Sequence, residues 1–235
     1  MAQVQRTTGL NGRAVTAYPL WNDLAPRFSG TRDCFAAYLA LEAAEVVEGE
    51  KPGNLVNLVN RTRRCGLNPY RIWKTHGAAL LSGSGLKVRE LKDSGEALLV
   101  YLYREDLLQE LLQMKAVTVI LGKLGYKRPA DPEQTLCQLG ARTRADAFPH
   151  EIGIFLGYPL KDVLAFMGRI PLAYACQGPW KIFGDPRRSL ELADRFRECR
   201  SRMAERLYSC HDPAQCLMAR AVCRPMAAQG TGGNC

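Results

Sequence analysis

Seven consecutive residues near the middle of the chain, Ala97-Leu98-Leu99-Val100-Tyr101-Leu102-Tyr103, are apolar or aromatic at every position. A strand points successive side chains to opposite faces, so both faces of this one are apolar, the pattern of a central strand buried on two sides. Just before it, Leu86–Leu91 mostly alternates, as a half-exposed strand does. Lys92-Asp93-Ser94-Gly95 supplies turn residues between the two. The sequence therefore predicts a hairpin over about 86–103, and much of what surrounds it must be helix that covers apolar surface.

The helical periodicity agrees. Cys34, Tyr38, Leu41, Ala44 and Val47 share one face of a helix expected from Thr31, whose hydroxyl is the expected cap, to about Glu48. Asn68-Pro69, Asp131-Pro132 and Asp185-Pro186 each place a capping side chain before a proline at the first helical position. They predict helices from 68 to 81, from 131 onward, and from 185 onward with Leu192, Phe196, Cys199, Met203 and Leu207 buried. Further helices are expected over 105–114, 116–124, 150–156 and 160–167, and a strand over about 179–183. Strands do not alternate with helices, so the fold class is α+β: a mostly helical single domain with a small antiparallel sheet made of the hairpin and the 179–183 strand. Residues 1–30 read as an extended or disordered lead-in, 31–209 as the domain, and 210–235 as a flexible cysteine-containing tail.

Composition narrows the function classes. No apolar run approaches the roughly 18 residues of a membrane span, and the first residues lack the apolar core of a secretory signal. The expectation is a soluble, cytoplasmic protein with no membrane partner. The 9 cysteines are an odd number, so free thiols in a reducing compartment are expected. The net charge is +9, and between Glu50 and Glu90 there are eight basic residues and no acid. Such a segment could meet phosphates, but only Tyr70 and Trp73 interleave with it, so no base-stacking surface is indicated.

The densest chemistry lies in Phe148-Pro149-His150-Glu151-Ile152-Gly153-Ile154-Phe155-Leu156-Gly157-Tyr158-Pro159. Its glycines and aliphatic residues have the spacing of a tight helix-turn-helix, in which close crossing needs a small contact residue. The second helix offers Lys161 and Asp162 among apolar residues, a poor surface for reading base edges. Nucleic acid is therefore the less favoured partner. His150 could titrate near neutral pH, and Glu151 lies about 100° away around a helix, so the two are not a shared chelate. Cys210, His211, Cys216 and Cys223 fit neither zinc nor iron–sulfur spacing, and no metal is assigned.

This run, with Trp180-Lys181-Ile182-Phe183-Gly184-Asp185 downstream, resembles a family of uncharacterised, mainly anaerobic bacterial proteins, domain of unknown function 3793. Lys51-Pro52-Gly53-Asn54-Leu55, Leu99–Arg104 and Leu124-Gly125-Tyr126 support the resemblance over residues 31–209, although Gly53 stands where the family more often has alanine. The resemblance implies a domain and recurring polar residues, and no reaction or cofactor. The functional reading is a binding protein, or small enzyme, for an anionic small molecule or cofactor. Its candidate catalytic residues are His150 and Glu151; its candidate binding residues are Lys51, Asn54, Tyr158, Trp180 and Lys181. Lysines would supply charge, Trp180 a stacking face and His150 a proton-transfer group. The alternatives are a nucleic-acid or protein adaptor built on the basic segment and the helix pair, and a thiol-based redox or metal protein.

Overall fold

The structure is a computed structural model that describes residues 21–63, 66–145 and 147–219, and the backbone of Thr7–Thr8 (β1) and Ala14–Val15 (β2), which pair antiparallel. The rest of the expected lead-in, part of the basic knot at Arg61–Arg64, and the tail beyond Ala219 lie outside the described residues. In chain order there follow the short helix Trp21–Leu24 (α1), Thr31–Glu42 (α2), Ala44–Val47 (α3), the strand Gly53–Val59 (β3) and Pro69–Leu81 (α4). The hairpin is Lys87–Asp93 (β4) and Ala97–Tyr103 (β5). Helices Glu105–Gln113 (α5), Lys115–Lys123 (α6), Pro132–Arg144 (α7), Ile152–Phe155 (α8) and Leu160–Phe166 (α9) come next. A second hairpin, Tyr174–Gln177 (β6) and Lys181–Phe183 (β7), precedes the long helix Arg187–Ser209 (α10).

The main sheet has the antiparallel order β3-β5-β4, with the all-apolar strand in the middle. Leu98, Val100 and Leu102 point to one face, where they join Val56 and Leu58 of β3 beneath α2, α3, α4 and α10. Tyr101, fully buried, points to the other and joins Leu108, Leu121, Leu139 and Phe155 from α5 to α8. Each buried large aliphatic side chain contributes about 1.5–3 kcal/mol of transfer free energy, so neither helical layer can be removed without exposing half the strand. The bulge in β4 between Glu90 and Lys92 turns Leu91 into the second core.

Three details depart from the sequence reading. The sheet's third strand is β3; the expected strand at 179–183 does form, as β7, but pairs with β6 in a separate sheet. The segment 55–59 alternates only in part, which hid its strand character. Thr31 is the first residue of its helix and Gly30 holds the cap position without a side-chain bond; likewise Pro186, not Asp185, holds the cap position of α10, which begins at Arg187, whereas Asn68 and Asp131 cap as expected, accepting from the Arg71 and Gln134 amides. The folded region is also wider than 31–209. Trp21, Leu24 and Ala25 enter the first core, and so do Cys216 and Leu217 from the 3-10 helix Pro213–Leu217, which packs on α2. Among the described residues, no helix is long and apolar enough to cross a membrane.

Gly53 opens β3 where the Tyr101 ring crosses it. A Cβ at this position would stand 2.2 Å from Tyr101 Cζ, and the ring is pinned by its hydroxyl, which donates to the Phe155 carbonyl at 2.7 Å. Gly53→Ala is therefore expected to cost about 1–3 kcal/mol as overpacking, read as a lower urea midpoint at unchanged slope; an unchanged midpoint would show that the ring is free to move.

Candidate functional site

The chemistry gathers where α8, α9, the β6–β7 hairpin and the start of α10 meet. Gly153 lets α8 and α9 touch: a Cβ there would fall 2.9 Å from Val163 Cγ2. The turn between them passes through Gly157 at φ +71°, a conformation that side chains with a Cβ rarely adopt. The tight helix pair expected from the sequence is thus present. Its second helix, however, does not face outward. The hairpin lies on it, and Lys161 Nζ donates to the Phe183 carbonyl at 2.6 Å.

Asp162 holds the hairpin there. Its carboxylate is 1% exposed and accepts four hydrogen bonds. Oδ1 takes Lys161 Nζ at 2.7 Å and the Phe183 amide at 2.9 Å; Oδ2 takes Trp180 Nε1 at 2.9 Å and Ser189 Oγ at 2.6 Å. Burial pushes the carboxyl up, but the bonds from Lys161, Ser189, Phe183 and Trp180 together outweigh it and hold the carboxyl below its ordinary value of 3.8. One side chain so joins α9, β7, the turn before it and the first turn of α10.

With Trp180 fixed, its ring stacks on Tyr158 at 4.5 Å between centroids and 22° between planes. This aromatic pair forms one wall of a cavity of about 330 Å³, whose remaining walls are Ile152, Gly153, Leu156 and Val163, with the fully hydrogen-bonded Asp162 among them. At its rim stand Phe148, His150, Phe166, Gln177 and Lys181. The His150 ring meets Phe166 edge-on at 5.0 Å, and Lys181 Nζ lies 5.5 Å from the centre of the same Phe166 ring. Phe148 and Phe166 are 46% and 45% exposed, so the rim presents aromatic surface to solvent. His150, Tyr158, Trp180 and Lys181 of the predicted set therefore share one cavity, although about thirty residues separate the two ends of the motif pair.

The other three predicted residues do not line it. Lys51 is 5% exposed and sits behind the aromatic pair, with Nζ 4.6 Å from the Phe196 ring centre, 5.6 Å from that of Tyr158 and 3.4 Å from Asn54 Oδ1. Burial lowers its pKa, with Glu45 opposing the shift. Asn54 in turn donates to the Glu42 carbonyl at 2.6 Å. Asn54 so fastens β3 to α2, and Lys51 packs beside the turn at Gly157, where a Cβ would come 2.9 Å from Pro52 Cδ and 3.9 Å from Lys51 Cγ. Glu151 turns into the second core, its Oε1 accepting from Arg142 at 3.1 Å and from the Tyr126 hydroxyl at 3.3 Å. Burial and the Glu151 charge push the Tyr126 phenol up. Glu151 is a tie between α7, the loop before it and α8.

Sequence reasoning missed Asp162, Phe148, Phe166 and Gln177. Asp162 did carry a signal, as a lone acid between the apolar residues Leu160 and Val163 of a helix; three of its four donors lie 18, 21 and 27 residues away, too far for the local sequence to show the pairing. Part of the basic segment is occupied: Arg63 stacks on Tyr38, Lys74 pairs with Glu90 and Asp93, and Arg89 pairs with Glu133, whereas Arg61, Arg71 and Lys87 are exposed. Burial pushes the Cys199 thiol up to about 12 and the Cys216 thiol up to about 11, which makes both weak nucleophiles. Among the described residues no group of three or more His, Cys, Asp or Glu side chains could hold a metal ion.

Because the folded-state carboxyl of Asp162 is held below 3.8, the stability it contributes is complete above the ordinary carboxylate range and is lost as pH falls through the lowered value. Asp162→Asn is expected to cost about 2 kcal/mol at neutral pH, the scale of hydrogen bonds to a buried charge. The same variant should flatten the acid side of the stability curve. Equal losses at pH 7 and pH 3 in urea titrations would contradict this.

No curated relative and no solved structure matches the chain. The family match runs from the middle of α2 through the main sheet, the helix pair and the cavity to Leu217, and so takes in Cys210 and Cys216, which the sequence reading had left outside. By that match over residues 39–217, the chain belongs to the family described as protein of unknown function (DUF3793).

Proposed function

We propose that this protein is a cytosolic binder of a small amphipathic anion, whose apolar or aromatic body enters the 330 Å³ cavity and whose acid group stays at the rim beside Lys181 and His150. The observation that carries the reading is the convergence of a stacked Tyr158–Trp180 wall with those two basic side chains around one opening. Ligand cavities are commonly about 300–1,000 Å³, largely apolar, with a few polar groups that fix orientation. This cavity falls at the small end, which suits a ligand of one or two rings. Free, buried thiols at Cys199 and Cys216 support a reducing compartment.

Binding is favoured over catalysis by the state of the nearby acids. Asp162 has four donors and Glu151 two, so neither is available to His150 as a proton-transfer partner. Binding is favoured over a nucleic-acid adaptor because the hairpin covers the helix that would have to enter a groove.

Calorimetric titration with 1-naphthoate and the neutral 1-naphthol tests the reading. The wild-type protein is expected to bind the carboxylate about tenfold tighter, the effect of one charge-assisted hydrogen bond. Lys181→Gln should erase that preference, and Gln177→Trp, which fills the mouth from an exposed position, should abolish binding of both. Equal affinity for the two compounds, or indifference to both substitutions, would refute it.

A further inference from the structure

On the other side of the Phe148–His150 segment lies a second recess, about 440 Å³ in volume, that the sequence reading did not anticipate. Phe148 and His150 line both spaces, so the two adjoin. Their chemistry differs. The first is walled mainly by rings and aliphatic chains; the second is lined by two arginines, Arg142 and Arg169.

Arg142 is fixed in place from three directions. Its Nη2 donates to the Leu124 carbonyl at 2.6 Å, its Nη1 to Glu151 Oε1 at 3.1 Å, and its guanidinium carbon lies 4.4 Å from the Tyr126 ring centre. It remains about one third exposed toward the recess. Arg169 is exposed, and its side chain makes no hydrogen bond or ion pair among the described residues. Among the described residues, the acid that lines the recess is Glu151, already engaged by Arg142 and Tyr126. The described lining therefore sets two arginines against one committed carboxylate, with His150 at the border.

We propose that this recess is a phosphate subsite, and that the ligand is a phosphate ester of an aromatic or apolar group that reaches across His150 from the first cavity. The inference rests on the reading of that cavity as the site of the ligand's body. A phosphate monoester carries about −1.5 to −2 charges at neutral pH, more than a single lysine at the rim matches. Planar guanidinium forks suit its oxygens, and the immobilised Arg142 loses little freedom on binding.

The test compares 1-naphthyl phosphate with 1-naphthoate by calorimetry on the wild-type protein and on Arg169→Ala, an exposed position whose loss leaves the fold without a missing partner. The wild type should bind the phosphate about tenfold tighter than the carboxylate. Arg169→Ala should remove that advantage while naphthoate affinity stays within about twofold, below what the loss of one hydrogen bond would give. No preference for phosphate, or an equal loss for both compounds, would overturn the proposal while leaving the first cavity's reading intact. Inorganic pyrophosphate is titrated separately. If it binds in an Arg169-dependent way while neither naphthyl compound binds, the recess is an independent anion site, and the joined ligand is overturned together with the first cavity's reading.

Discussion

Four donors from different stretches of the chain converge on the Asp162 carboxylate in a place that water scarcely reaches. A buried charge is costly unless its lone pairs are filled, and here two come from side chains and one from backbone on the hairpin and α10, with Lys161 beside it. The carboxylate thereby sets where the hairpin sits on α9, where Trp180 faces Tyr158, and how α10 begins. The cavity wall follows from that one group. Lys51 repeats the arrangement on the far side of the aromatic pair, as a cation placed against the faces of Tyr158 and Phe196.

The wider fold depends on an older constraint in the chain, a strand apolar on both faces. With β3 and β4 beside it, β5 requires a helical layer on each side, and α2 to α4 with α10 and α5 to α9 provide them. The second layer ends in the helix pair, so the cavity is built at the edge of that layer, where α8 and α9 run out of sheet to cover and the small hairpin closes over them.

Local order was legible in the sequence because its causes are local. The hairpin turn, the Asn68 and Asp131 caps, and the need for a small residue at Gly153 are each settled within a few residues. What stayed hidden depended on partners far along the chain. Lys51 and Asn54 stood out as polar residues in an apolar segment, which is equally the mark of a buried tie; only the positions of Phe196 and Glu42 decide between tie and site. Glu151 and His150, both candidates for the chemistry, lie in the turn before α8 and meet different neighbours, Glu151 meeting Arg142 and His150 meeting Phe166. His150, Tyr158, Trp180 and Lys181 were legible, like Lys51, Asn54 and Glu151, only as residues that interrupt segments otherwise given to packing; that these four line one opening depends on the fold.

What occupies that opening decides the function of the fold. A crystal structure of the protein grown with 1-naphthoate is the most direct measurement. It should show the naphthalene rings against Tyr158 and Trp180 and the carboxylate within ion-pair reach of Lys181 Nζ. Naphthoate bound on another surface, with the space between α8, α9 and the hairpin left to solvent, would contradict it.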